Sequence, residues 1–138
     1  LNIHVMTGGS AGPDLSYTMP VHFDRVAADF PQLKLVVSHG GWPWVHEMIH
    51  IAFRRPNVYL SPDQYLAQLP GSDDYVRAAD GFLADRFLYG SSYPFTPVKG
   101  YADWFRKLPI RPESMEKVLY RNAAKLLRID LNEIGIHG

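Results

Sequence analysis

Apolar and polar positions alternate between two periods along this chain, and the order of those periods predicts its architecture. Leu1–Met6 reads as a short buried strand, followed by the small-residue loop Thr7-Gly8-Gly9-Ser10-Ala11-Gly12-Pro13. Pro20 to Phe30 has a helical stripe of Val21, Val26, Ala27 and Phe30, and Pro31 ends it. Leu33–Val37 is a β-branched run that stops at Ser38-His39-Gly40-Gly41. Trp44 to Arg54 reads as a second helix with Pro43 at or near its start, and Pro56-Asn57 breaks it before a third strand, Val58-Tyr59-Leu60. Asp73 to Leu83 is a third helix, with Asp73 as its expected N-cap. Phe87-Leu88-Tyr89 is a fourth strand that runs into Gly90-Ser91-Ser92-Tyr93-Pro94. Tyr101–Leu108 and Pro112–Leu127 complete the pattern as helices.

Strands that alternate with helices require a parallel sheet with right-handed crossovers. Four such units amount to half of an eight-stranded barrel, whose usual size is roughly 250 residues. A small open α/β sheet satisfies the same periodicity. The 138 residues suffice for one domain with a core, taken as residues 1–138. A chain that opens at Leu1 inside a strand reads as a fragment, a processed product or a partial chain.

Composition narrows the function. The 14 basic and 14 acidic residues cancel, so no electrostatic footprint for nucleic acid or a membrane surface appears. No apolar run approaches ~20 residues, which excludes a transmembrane helix read from hydropathy. The absence of cysteine excludes disulfides and thiolate chemistry and suits a cytoplasmic location.

In parallel α/β folds ligands sit at the C-terminal ends of strands. Those ends carry Met6-Thr7-Gly8, His39 between Ser38 and two glycines, Ser61-Pro62-Asp63, and Ser91-Ser92-Tyr93. His39 is the leading candidate, since imidazole can bind metal or move protons near neutral pH. A buried histidine satisfied by backbone is the alternative, and Thr7 and Ser91 could equally be helix caps. His46-Glu47-Met48-Ile49-His50 matches the H-E-x-x-H zinc-protease pattern. A barrel places that helix on the outside, which favours an amphipathic helix with two partly exposed histidines. Trp42 and Trp44 could wall a pocket, though packing of helix on sheet is the commoner use.

Four segments together resemble the amidohydrolase-related family (the amidohydrolase 2 group of hydrolases, decarboxylases and hydratases). They are Asp24 to Trp44, Arg55 to Leu60, Asp85 to Phe95 and Val118 to Leu127, in the order of strands five to eight of that barrel. The resemblance implies a (β/α)₈ TIM barrel of which this chain is the C-terminal half. It also implies a mononuclear, usually zinc, site held by an H-x-H pair on strand one, a histidine ending strand five and an aspartate after strand eight, with a histidine after strand six, which falls on His39, adding substrate or catalytic contacts. Two ligand positions differ. Ser92 stands where the resemblance implies Asp, and Met6 stands where it implies His. A neutral hydroxyl and a thioether are poor substitutes. His4 lies one strand repeat, ~6.6 Å, deeper.

The expectation is therefore an enzyme acting on a small carboxylated or cyclic substrate, by hydrolysis, with a degenerate metal site and no cofactor held by this chain. The alternatives are a carbon–carbon lyase such as a decarboxylase, or a non-catalytic binding or scaffold barrel. His39 and Ser92 would be catalytic, and Met6, Thr7, Ser61, Asp63 and Tyr93 would bind substrate, with Met6, His39 and Ser92 facing one pocket. Its partners would be that substrate and the missing half-barrel or a second copy of the chain.

Overall fold

The structure, a computed structural model, describes residues 3–7, 14–67 and 69–136, and for residues 4–7 the backbone alone. Three strands, β1 (Ile3–Thr7), β2 (Lys34–Ser38) and β3 (Val58–Ser61), form a parallel sheet in the order β1-β2-β3. Six helices follow or connect them: α1 (Pro20–Asp29), α2 (Val45–Arg54), α3 (Ser72–Asp80), α4 (Val98–Phe105), α5 (Pro112–Glu116) and α6 (Asn122–Leu127). Among the described residues no helix is long and apolar enough to cross a membrane.

The fourth predicted strand is shorter than its apolar run suggested. Phe87 makes one parallel bridge to Leu60, on the free side of β3. The Leu88 N–H still donates to the Leu60 carbonyl at 2.8 Å, but the Tyr89 N–H turns away to the Val118 carbonyl at 3.0 Å. The same bond bears on the predicted helix over 112–127, which is interrupted by a π-helical turn at Lys117–Arg121. Asp73 is not the cap of α3. Gly71, left-handed at φ 89°, occupies that position, and Asp73 and Asp74 sit in the first turn, where the helix dipole favours negative charge.

Strand alternation sorts the sheet into two faces. Leu35, Val37, Val58, Leu60 and Phe87 are fully buried in the core shared with the helices. Val36 pairs with Tyr59, and Ser38 with Ser61, on the opposite face. Helix α2 adds Val45, Met48, Ile51 and Ala52 to the core, and α3 adds Tyr75, Val76, Ala78 and Ala79. The stripe expected for α1 is corrected: Phe23 and Ala27, four residues apart, are buried, whereas Val21 and Phe30 are exposed. Val21 precedes Phe23 by two residues, roughly 200° around the helix, so both cannot face the sheet.

At the end of the sheet where strands begin, three polar side chains tie successive units together. The Asn57 amide donates to the carbonyls of Ala27, Phe30 and Leu33 at 3.2, 3.2 and 2.9 Å. Arg86 donates to the carbonyls of Ala52, Arg55 and Val58. Asn122 donates to those of Ala84 and Phe87 at 2.7 and 2.8 Å. Each pairs carbonyls freed where a helix hands over to the next strand, groups that would otherwise be buried without partners.

Candidate functional site

Parallel pairing brings the strand ends to one edge. Thr7 is in register with Ser38, and Ser38 with Ser61, so three hydroxyl-bearing residues occupy one row at the C-terminal rim. Immediately beyond it the chain places His39 after β2 and Asp63 after β3, each opening a short 3₁₀ turn (His39–Gly41 and Asp63–Leu66).

These two residues form a bonded pair. The His39 backbone N–H donates to one Asp63 carboxylate oxygen at 3.0 Å, and His39 Nδ1 lies 2.9 Å from the other. A carboxylate only accepts, so Nδ1 carries the proton in this bond and Nε2 is the ring nitrogen not engaged by Asp63. The Tyr65 N–H also points at Asp63, at 3.5 Å, and the Tyr65 ring lies against the imidazole with centroids 4.4 Å apart. Trp42 also packs against Tyr65, with ring centroids 5.8 Å apart. Asp63 is buried, and the His39 side chain keeps 27% of its surface exposed.

The backbone here is strained. His39, Asp63 and Ser92 all have left-handed conformations, at φ 57°, 49° and 56°. Such residues cost about 1–3 kcal/mol each and persist where the surroundings over-determine them. The fourth non-glycine example, Arg128, is an ordinary helix end. Three left-handed residues at three adjacent strand ends make this rim the candidate functional edge.

Packing explains how the rim is held. A Cβ on Gly90 would lie 3.2 Å from Ser61 Oγ and 3.4 Å from Asp63 Cβ, so glycine lets the chain carrying Ser92 approach β3 closely. A Cβ on Gly40 would meet the Tyr75 hydroxyl at 2.7 Å. That hydroxyl donates to the Gly40 carbonyl at 3.1 Å, and the Tyr101 hydroxyl donates to the Asp63 carbonyl. Burial, and then the negative charge of Asp63, push both phenols well above the usual tyrosine range, so both stay protonated donors.

The structure thus joins His39, Asp63 and Ser61 at one rim, with the Gly90–Ser92 segment against it. Ser92 is part-buried, and its carbonyl accepts the Phe95 N–H at 2.9 Å. Tyr93 is largely exposed. The side chains of His4, Met6 and Thr7 lie outside the described residues, and so does the expected pocket of Met6 with His39 and Ser92. The H-E-x-x-H pair sits on the outer helical layer: His46 is exposed and bonds Asp74 at 2.8 Å, and His50 is exposed. Trp44 donates to Thr18 and Trp42 to the Pro70 carbonyl, contacts within the helical layer and its loops. Sequence reading missed Tyr75 and Tyr101, since no local pattern ties a helical tyrosine to a loop 35 or 38 residues away, and it missed Tyr65, whose ring contact with His39 depends on the pairing of two strands.

A parallel sheet flanked by helices, with a histidine–carboxylate pair on its C-terminal rim, is a parallel α/β scaffold with polar side chains gathered at its strand ends. The chain belongs to the amidohydrolase 2 family, whose model, described as amidohydrolase, matches residues 1–129. It is similar to the decarboxylase orsB of Emericella nidulans, at 26% identity over 80% of this chain and 38% of that protein. It is also similar to an uncharacterized TIM-barrel protein, Bb4693, from Bordetella bronchiseptica, with 58% identity, TM-score 0.88, and coverage of 92% of this chain and 46% of that one. A third likeness, at 20% identity and TM-score 0.62, covers 80% of this chain and 40% of a dihydroxybenzoic acid decarboxylase from Polaromonas sp. JS666 with bound manganese and an inhibitor, 2-nitroresorcinol. The chain spans less than half the length of each of these proteins.

Two expectations change. The absence of a cofactor is corrected, because a barrel of the same fold carries manganese. Sites in barrels of this kind draw residues from the ends of several strands. Among the described residues no three His, Asp or Glu side chains converge as a metal site, and the Asp63 carboxylate is already committed to His39. Hydrolysis as the leading reaction also gives way, since the named activities among these relatives are decarboxylations.

Proposed function

We propose that this chain forms strands five to eight of a (β/α)₈ barrel, as one domain over residues 1–138, and that the completed barrel decarboxylates a small aromatic carboxylic acid. Coverage of 46% of a TIM-barrel protein at TM-score 0.88 supports the first part. The observation that carries the second is the His39–Asp63 pair, with one carboxylate oxygen on the ring and the other on the backbone of the same residue.

The Asp63 carboxylate holds His39 through Nδ1 and fixes the ring's orientation, so the proton for transfer is the one on Nε2. His39 delivers the Nε2 proton to the substrate carbon that bears the carboxylate. The carbon–carbon bond breaks, carbon dioxide leaves, and the pair that held it forms the new C–H bond. Neutral His39 then regains a proton from water. Ser61, Ser92 and Thr7 supply hydroxyls for the substrate's oxygens, and Tyr93 stands at the mouth. The described donors do not make up a metal site on their own, and no step here runs through a metal.

The completed barrel, supplied with manganese, should release carbon dioxide from a panel of dihydroxybenzoates. His39→Ala should lower kcat by about 10²–10⁴-fold, and Asp63→Asn by a similar order, with binding little changed. Hydrolysis of lactones or amides by the same protein, with no carbon dioxide released from any carboxylate, would overturn the reading.

A further inference from the structure

The His39–Asp63 pair rests on two loops whose carbonyls are each held by a buried tyrosine from the outer helices. The Tyr101 hydroxyl, from α4, donates to the carbonyl of Asp63, and the Tyr75 hydroxyl, from α3, donates to the carbonyl of Gly40. Both rings are core residues, Tyr75 fully buried and Tyr101 5% exposed. Tyr101 packs against Tyr89, Trp104 and Phe105, so its hydroxyl has little freedom to seek another acceptor.

Asp63 has left-handed backbone geometry at φ 49°, which an aspartate abandons when nothing holds it. Its side chain accepts from the His39 N–H and Nδ1–H, and from the Tyr65 N–H. Those bonds fix the carboxylate to the neighbouring loop. The bond from Tyr101 fixes the main chain from which the carboxylate departs. A rotation of the Asp63 peptide would swing the carboxylate off Nδ1, and imidazole alignment is sensitive to displacements of about 1 Å.

We infer that Tyr101 is a positioning residue: through the Asp63 carbonyl it locks Asp63 in its left-handed conformation, and thereby sets the tautomer and orientation of His39. Tyr75 does the same for the glycine next to His39. The inference gives the helical layer a part in the chemistry of the opposite edge, and it rests on the reading of His39 as the reacting group. Tyr65 makes the third contact, its ring lying against the imidazole with centroids 4.4 Å apart.

The test removes one oxygen atom. Tyr101→Phe in the completed barrel is compared with wild type and with Tyr120→Phe, a control far from the rim in sequence whose half-buried hydroxyl donates to Glu116 and also interacts with Arg121. Imidazole ¹⁵N-labelled histidine reports the His39 tautomer and its Nδ1–H proton, assigned by its loss in His39→Ala. The expected result is a folded Tyr101→Phe protein in which the Nδ1–H signal is broadened or shifted toward an unbonded imidazole. The tyrosine control should leave it unchanged. In turnover, kcat should fall about tenfold with KM within about twofold. If Tyr101→Phe fails to fold, 3-fluorotyrosine at position 101 keeps the hydroxyl, makes it a stronger donor, and should shift the same signal. An unmoved His39 signal, in either protein, overturns the inference. A moved signal in a barrel that releases no carbon dioxide upholds it and defeats the decarboxylase reading instead.

Discussion

Asn57 offers the sharpest test of how this sheet is held together. It is 2% exposed, and its amide serves three carbonyls, those of Ala27, Phe30 and Leu33, in the connection from α1 to β2. Two N–H groups share three acceptors, so the equivalent of two good hydrogen bonds is at stake. At about 1 kcal/mol net for each, Asn57→Ala should cost about 2 kcal/mol. The cost rises toward ~4 kcal/mol if the freed carbonyls stay dry, because each then bears its desolvation penalty. Asn57→Asp separates bonding from packing. It keeps the shape, removes both donors at neutral pH, and aims a buried carboxylate at three carbonyl dipoles, so it should cost more than alanine. Burial and those carbonyls would raise the new carboxyl's folded pKa above its unfolded ~3.9. Its penalty is therefore fully present above the folded pKa and shrinks as pH falls through it, because protonation removes the charge and restores one donor. Urea unfolding of wild type and both variants at pH 7 and pH 5 measures this through the midpoint at constant slope. A loss below about 0.5 kcal/mol for alanine, or an aspartate variant no worse than alanine at pH 7, would show that water or loop rearrangement replaces the amide.

Two further outcomes follow from the same geometry. Gly40→Ala sets a methyl 2.7 Å from the Tyr75 hydroxyl in a backbone at φ 62°, so a loss of about 1–3 kcal/mol is expected, read as a lower Tm with a displaced His39 signal; an unchanged Tm would refute the steric reading. Acid should loosen the helical layer. The carboxyls of Asp24 and Asp74 are held below their ordinary range, first by hydrogen bonds from Arg55 and Arg77 respectively. A depressed folded pKa gives stability that is present above the unfolded value and lost as pH falls below about 4. Asp24→Asn should flatten that acid limb of Tm against pH, and an equally steep limb in the variant would show that other groups carry it.

The legible part of the molecule is the part built from local rules. The β-branched run before Ser38, the short Val58-Tyr59-Leu60 strand and the helical stripe of α2 each appear within two residues of the expected bounds, because periodicity and proline breaks act over one turn or one strand. His39 was visible as a histidine between an apolar strand and two glycines, and Asp63 as a polar residue at the next strand end. Their bond was not visible. Asp63 lies 24 residues away, and only parallel register places both strand ends at one height. The burial of Phe23 rather than Val21, the single bridge at Phe87, and the use of Asn57, Arg86 and Asn122 to pair stray carbonyls were likewise decided by what each element met in space. Local pattern sets which residues become helix or strand. Non-local packing sets which carbonyl a buried tyrosine reaches and which aspartate turns a histidine, since those depend on the directions and heights of elements far apart in the chain.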